Sequence, residues 1–281
     1  MHILKNDRLY IEIADRGAEM RRATLDGKDV LWSGDPTVWP GVSPLLFPMC
    51  GGTKADEYTY KGNTYHMEKH GFIRALDFEL EQSGENFLTF KHEATPATFE
   101  KFPFHYTLRV TYRLSGTSLA ITYNVYNGSN EPMPFTIGSH EGYACPEGIE
   151  EYDVIFEKEE TLAAYELEGN LLRRTTTPIL HNSRVFPLYE RYFAVDALVF
   201  KDLKSRAATL RHRPSGRQVT VQFPGCDYFL LWQKHRAPYI CMEPWVSVPT
   251  FVDEEQNLET REGTITVAPN DTWEQTHSIL F

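Results

Sequence analysis

Apolar and polar residues alternate in short runs along most of this chain, with the period of two that turns one face of a β-strand inward. Residues 9–14, 87–92, 104–114 and 119–126 show the pattern, and Ser115-Gly116-Thr117-Ser118 between the last two predicts a hairpin. Residues 133–137, 152–156 and 197–200 predict further short strands. Residues 207–213 and 218–223 flank Arg213-Pro214-Ser215-Gly216, a second hairpin. Residues 228–232, 239–242, 264–268 and 276–280 complete the set. A weak helical period over 163–172 is the one departure. No linker, repeat or low-complexity tract interrupts the series. The pattern predicts an all-β fold, one large antiparallel β-sandwich over residues 1–281 as a single domain, with a concave face that has room for a ligand.

Composition narrows the partners. The 281 residues are 41% hydrophobic, enough for a sizeable core, and the net charge is −11. No basic stretch interleaved with aromatics is present, so nucleic acid is not expected. No apolar run approaches the roughly 18 residues of a membrane-spanning helix, and the N-terminus reads as a strand rather than a signal peptide. A cytoplasmic protein, monomeric or homodimeric, is expected. Cys50, Cys145, Cys226 and Cys241 are scattered with no Cys-x-x-Cys spacing, which predicts free, packed thiols. Aromatic residues make up 13% of the chain, which suits cross-strand packing and also suits stacking on a sugar ring.

Two separated segments carry the candidate chemistry. In Tyr239-Ile240-Cys241-Met242-Glu243-Pro244-Trp245, an apolar run ends in a carboxylate. Pro244 holds Glu243 in extended backbone, and Trp245 offers a flat wall beside it. Partial burial raises a carboxyl pKa towards that of a useful general base, although a strand-end glutamate paired with arginine fits the spacing equally well. In Ile137-Gly138-Ser139-His140-Glu141-Gly142, a histidine ends a strand between two glycines that permit close approach. Acid and base together would move two protons in opposite directions on a neutral, oxygen-rich substrate. His70, in His70-Gly71-Phe72, is a candidate hydrogen-bond donor. Asp196, at the start of a strand, would accept from hydroxyls or simply serve a turn. The histidines lack the short-range spacing that anchors a metal site, so neither a metal nor another cofactor is expected.

In order along the chain, these segments resemble the aldose 1-epimerase family, the galactose mutarotase-like proteins. The resemblance runs through Pro44-Leu45-Leu46-Phe47-Pro48, Gly51, Tyr58 to Gly62, His70-Gly71-Phe72, Gly138-Ser139-His140, Asp196-Ala197-Leu198 and Cys241 to Trp245. It implies a large antiparallel β-sandwich and a cofactor-free isomerase acting on a sugar. Glu243 would take the O1 proton, His140 would protonate the ring oxygen O5, His70 would donate a hydrogen bond, and Asp196 would bind the sugar. Two departures stand out. Gly52 falls where many members carry a sugar-binding arginine, leaving Lys54 or Arg74 as substitutes, and Ser247-Val248-Pro249-Thr250 stands where many have Gly-x-Pro-Asp. A hexose-6-phosphate epimerase, with Arg74, Lys54 and the 201–206 stretch as phosphate ligands, and a non-catalytic sugar-binding protein are the alternatives.

Overall fold

The computed structural model describes residues 1–281 and is built almost wholly of antiparallel strands. The N-terminus forms a four-stranded meander, His2–Lys5, Leu9–Ile13, Met20–Leu25 and Lys28–Asp29. The rest is dominated by one 15-stranded sheet that supplies the large β-sandwich. Two of its long strands show the expected alternation: in Ser118–Asn127 every second residue is buried, and Tyr106–Ser115 pairs with it through all ten positions around the Gly116 turn. Each fully buried Leu, Ile, Val or Phe on the inner face stabilises the fold by about 1.5–3 kcal/mol. The inner face joins distant segments, since Leu4, Leu108, Phe156 and Ile279 belong to one continuous core.

The strand Thr272–Leu280 lies between Gln218–Gln222 and Ser118–Asn127, so it splices the two halves of the large sheet. At the other end of the strand order, Tyr239–Trp245 sits between Tyr228–Trp232 on one side and both Gly138–Ser139 and Glu141–Ala144 on the other. All seven of its residues are buried. Alternation sends Ile240 and Met242 into the main core, and Tyr239, Cys241, Glu243 and Trp245 to the opposite face. This second face is the floor of the site described below.

The structure corrects two elements. Residues 163–172 are not helical; they form the end of Tyr152–Glu168, the Gly169-Asn170 turn and the start of Leu171–Pro187, a hairpin of two 17-residue strands. The second strand is mostly exposed on both faces and therefore carries no apolar period of two. The one α-helix, Pro96–Lys101, starts at a Thr95 cap whose hydroxyl accepts from the Thr98 N–H at 3.2 Å, with proline at the first helical position. No helix is long and apolar enough to cross a membrane. All four cysteines are free and buried.

Candidate active site

A pocket of about 500 Å³ opens on the second face of the Tyr239–Trp245 strand. Glu243 and Trp245 reach it by strand parity, and Leu230 and Trp232 join them from the neighbouring strand, where Leu230 is the register partner of Glu243. His140 enters from the other side. It lies between two short strands that both pair with Tyr239–Trp245, and Gly142 beyond it is opposite Cys241. Gly138 and Gly142 keep this approach clear. A Cβ on Gly138 would come within 2.6 Å of the Trp245 ring, and one on Gly142 within 3.1 Å of Trp39.

His140 and Glu243 are the centre of the pocket. Nδ1 of His140 is 3.5 Å from Oε1 of Glu243, with the residues 8% and 1% exposed. Nδ1 is buried and has no hydrogen-bond partner. The imidazole is walled by Trp39, ring centres 5.1 Å apart, by the edge of Trp232 at 5.3 Å, and by His70 at 5.8 Å. Burial disfavours charge on both groups. It pushes His140 down to about 3 and holds Glu243 well above the usual carboxylate range, with the nearby Glu141 carboxylate adding to the rise in Glu243.

His70 is fixed by its backbone as well as its ring. Its N–H donates to the Gly51 carbonyl at 2.8 Å, and the Gly51 N–H donates to its Nδ1 at 3.2 Å. With Nδ1 accepting, the neutral ring carries its proton on Nε2. Burial, together with His140, Lys69 and Arg74, keeps the ring well below its ordinary pKa, so it is a neutral donor. The backbone at His70 is left-handed, φ +70°, and Gly71 follows at φ +69°, where a Cβ would lie 2.3 Å from the Phe47 carbonyl oxygen. That close approach is why this turn takes a glycine. Beneath it, buried Arg261 donates to the Cys50 and Val248 carbonyls and so ties the two loops that carry Gly51 and Pro249 together.

The site therefore sets a buried histidine against a buried carboxyl, beside a second, neutral histidine and aromatic walls. The family profile described as aldose 1-epimerase matches residues 1–280. The chain belongs to the aldose 1-epimerase family. The chromosomal LacX protein of Lactococcus lactis subsp. lactis is 32% identical over 293 residues, covering 99% of this chain and 98% of that protein. A galactose mutarotase related enzyme from Lactobacillus acidophilus superposes with a TM-score of 0.94 at 28% identity, covering 99% of this chain and 96% of that one. A galactose mutarotase-like protein from Lactobacillus casei gives 0.94 at 26%, covering 100% and 99%. The family and its β-sandwich are as the sequence predicts, and the chain is an enzyme of this kind.

In this aldose epimerase the pocket gathers six residues from four separate stretches of the sequence: His70 with Arg74, His140, Asp196, and Glu243 with Trp245. Trp245 is a wall rather than a free donor, because its Nε1–H donates to the Ser139 carbonyl at 2.9 Å. Asp196 uses Oδ1 to accept from the Ala197 N–H at 2.9 Å, a turn contact that leaves Oδ2 for a ligand. Lys54 is not brought in. Its Nζ donates to the Glu254 carbonyl at 2.7 Å, away from the pocket, because the Lys54–Asp56 turn faces the 254–256 loop. Nor is the 201–206 stretch, whose Lys201 pairs with Glu262 at 3.0 Å. The side of Gly52 is occupied: an added Cβ would lie 2.8 Å from Cβ of Asn170, at the tip of the long hairpin.

Among the lining residues that sequence reasoning did not single out are two aromatic and two cationic ones, Trp39, Trp232, Lys69 and Lys234. Only Lys69 had a local signal, its place beside His70. Lys69 Nζ donates to Asn170 Oδ1 at 2.9 Å, Arg74 Nη2 to the Lys69 carbonyl at 3.0 Å, and Lys234 Nζ to the Val38 carbonyl at 2.5 Å. All three cations are held by neutral acceptors, and none is ion-paired to a carboxylate.

Proposed function

We propose that this aldose epimerase interconverts the α and β anomers of an aldose by acid–base opening of the C1–O5 bond. The observation that carries the reading is the 3.5 Å contact of His140 with Glu243. O1 and O5 of a cyclic sugar share one carbon, so the base for one and the acid for the other must be neighbours. Glu243 takes the O1 proton while His140 gives its proton to O5. The C1–O5 bond breaks, an aldehyde forms, rotation about C1–C2 presents its other face, and the two residues exchange roles as the ring closes. His70 donates its Nε2–H to oxygen as charge builds there. Asp196 accepts from sugar hydroxyls, and the Trp39 and Trp245 rings cover apolar faces.

The proton count is the same before and after each half-reaction. The pair holds one proton, which rests on Glu243 with His140 neutral, since burial disfavours both charges. The reactive form, carboxylate with imidazolium, is the same pair with that proton moved. Polar contacts from a bound sugar lower the cost of that charged arrangement.

The three cations of the pocket favour a second reading within the same reaction, in which the aldose bears a phosphate. Lys69, Arg74 and Lys234 offer positive charge without a carboxylate partner in a chain of net charge −11. Polarimetric relaxation of freshly dissolved α-glucose, α-galactose and glucose 6-phosphate tests both readings. Enzyme-dependent acceleration is expected, and a larger kcat/KM for glucose 6-phosphate than for glucose is the mark of the second. Binding of these sugars without any acceleration would overturn the reaction and leave a sugar-binding protein.

A further inference from the structure

We propose that His140, Glu243 and Cys241 form an inhibitory site for zinc, binding the ion through Nδ1, a carboxylate oxygen and Sγ and so closing the pocket to chemistry. Cys241 has no part in the proton transfers above and is buried beneath the pocket lining, yet strand parity puts its side chain on the same face as Glu243. Cys241 and Glu243 are two residues apart on one strand and therefore share a face, and Gly142, two residues beyond His140, is the register partner of Cys241. One ligand atom from each of the three residues lies within 4.8 Å of the others, and His140 Nδ1 and Glu243 Oε1 are 3.5 Å apart.

Zinc holds nitrogen and oxygen at about 2.0–2.2 Å and sulfur at about 2.3 Å, so neighbouring donors of a tetrahedral site are roughly 3.3–3.8 Å apart. The Nδ1–Oε1 separation is already in that range, and one ligand atom of each residue lies within 4.8 Å of the others, close enough for side-chain rotation to gather them. The donors are buried, Cys241 0%, Glu243 1% and His140 8% exposed. His140 Nδ1 is an orphan, a buried nitrogen without a hydrogen-bond partner, which is the state a metal would relieve. One nitrogen, one sulfur and one oxygen donor form a set that suits zinc and disfavours magnesium or calcium. Three protein ligands leave a fourth position towards the pocket for water.

Binding balances in charge and protons. The Cys241 thiol gives its proton to solvent, and the carboxyl of Glu243 gives up any proton it holds, so two negative ligands neutralise the dication. Both lone pairs that the acid–base pair would use then belong to the metal. The ion is an inhibitor here rather than a cofactor, and the metal-free enzyme is the active one. The binding rests on the donor geometry alone. The inhibition rests on the reading given under the proposed function.

The test uses full-length protein freed of metal with a chelator and titrated with cobalt(II), which reports a thiolate ligand by a near-ultraviolet charge-transfer band and a tetrahedral site by intense visible absorption. Both signals are expected, with loss of both when zinc is added. Cys241→Ser and Cys241→Ala should lose the charge-transfer band while keeping anomer turnover, with inhibition by zinc weakened beyond the roughly 10–100-fold that losing even an outer partner of a ligand costs. His140→Gln should lose the tetrahedral spectrum whether or not it turns over. Cobalt binding without a charge-transfer band, or zinc inhibition unchanged in a folded Cys241 variant, overturns the site. The cobalt signals in a protein that accelerates no anomer exchange would uphold the site and overturn the reaction instead.

Discussion

Two buried histidine–glutamate pairs lie back to back in this protein, and neighbouring residues in the chain supply one member of each. His140 faces the pocket and meets Glu243 at 3.5 Å, without a hydrogen bond, and its Nδ1 is unsatisfied. Glu141 faces the core and meets His277 at 2.9 Å, hydrogen-bonded, with both residues 2% exposed. The Tyr123 ring packs beside His277, ring centres 5.6 Å apart. The same two residue types, all buried and anchored at adjacent positions 140 and 141, thus take opposite settings. The closed pair is a structural link between Glu141–Ala144 and the splicing strand Thr272–Leu280. The open pair is left slightly apart beside a cavity, where a substrate atom can enter between acid and base. Residue type does not distinguish the proposed catalytic pair from the structural one; the face each presents does.

The contrast breaks most sharply under substitution. Glu243→Gln removes the proposed base and should lower kcat by about 10²–10⁴-fold with the fold intact, as circular dichroism and thermal unfolding will show. A folded variant with near-normal turnover would remove Glu243 from the mechanism. The mirror experiment is His277→Leu. It leaves the Glu141 carboxyl buried without its partner, a loss of about 3–5 kcal/mol by comparison with other broken buried pairs. Denaturant unfolding should record that loss, whereas kcat of the protein that remains folded should fall far less than in Glu243→Gln. Equal losses of turnover from the two variants would erase the distinction between the pairs.

A smaller effect sharpens the comparison. Because the open pair holds a single proton, pH matters only where the pair gains a second or loses the one it has. The second proton would go to His140, which burial holds down to about 3. The pair's one proton is retained beyond the usual carboxylate range, because Glu243 is raised. Both limits move outward, so kcat/KM should be level as pH falls through 6.5 and should decline only on the alkaline side. Initial rates between about pH 5 and 9 check this. A decline in activity as pH falls through the ordinary histidine range would mean that His140 is solvated rather than dry.

The sequence made strands legible where burial alternates cleanly, as in Ser118–Asn127; it passed over Met20–Leu25, whose burial is irregular, and Leu171–Pro187, where neither face is buried. Binary patterning reports burial, and a hairpin standing out from the sheet has little to report. At the site, His140, Glu243 and His70 stood out because each follows a recognisable apolar run or adjoins a glycine turn. Lys69, Lys234, Trp39 and Trp232 did not, since convergence on one cavity is a property of sheet register and not of any local pattern. Lys54 was misplaced for the same reason. Its closeness in sequence to Gly52 says nothing of where its side chain goes, and in the structure it goes to the Glu254 carbonyl.

The placing of Thr272–Leu280 has a consequence for biosynthesis. Ser118 is the register partner of Leu280, so a strand made early has its neighbour supplied only after more than half of the chain has followed. Until then Ser118–Asn127 has one open edge on the nascent polypeptide, with its backbone donors and acceptors free to pair with another molecule. Such distant pairings close slowly, and during that interval an unfinished sheet is prone to aggregate. Production in a crowded cell should therefore gain more from chaperone supply, which covers the open edge, than from any change to the pocket.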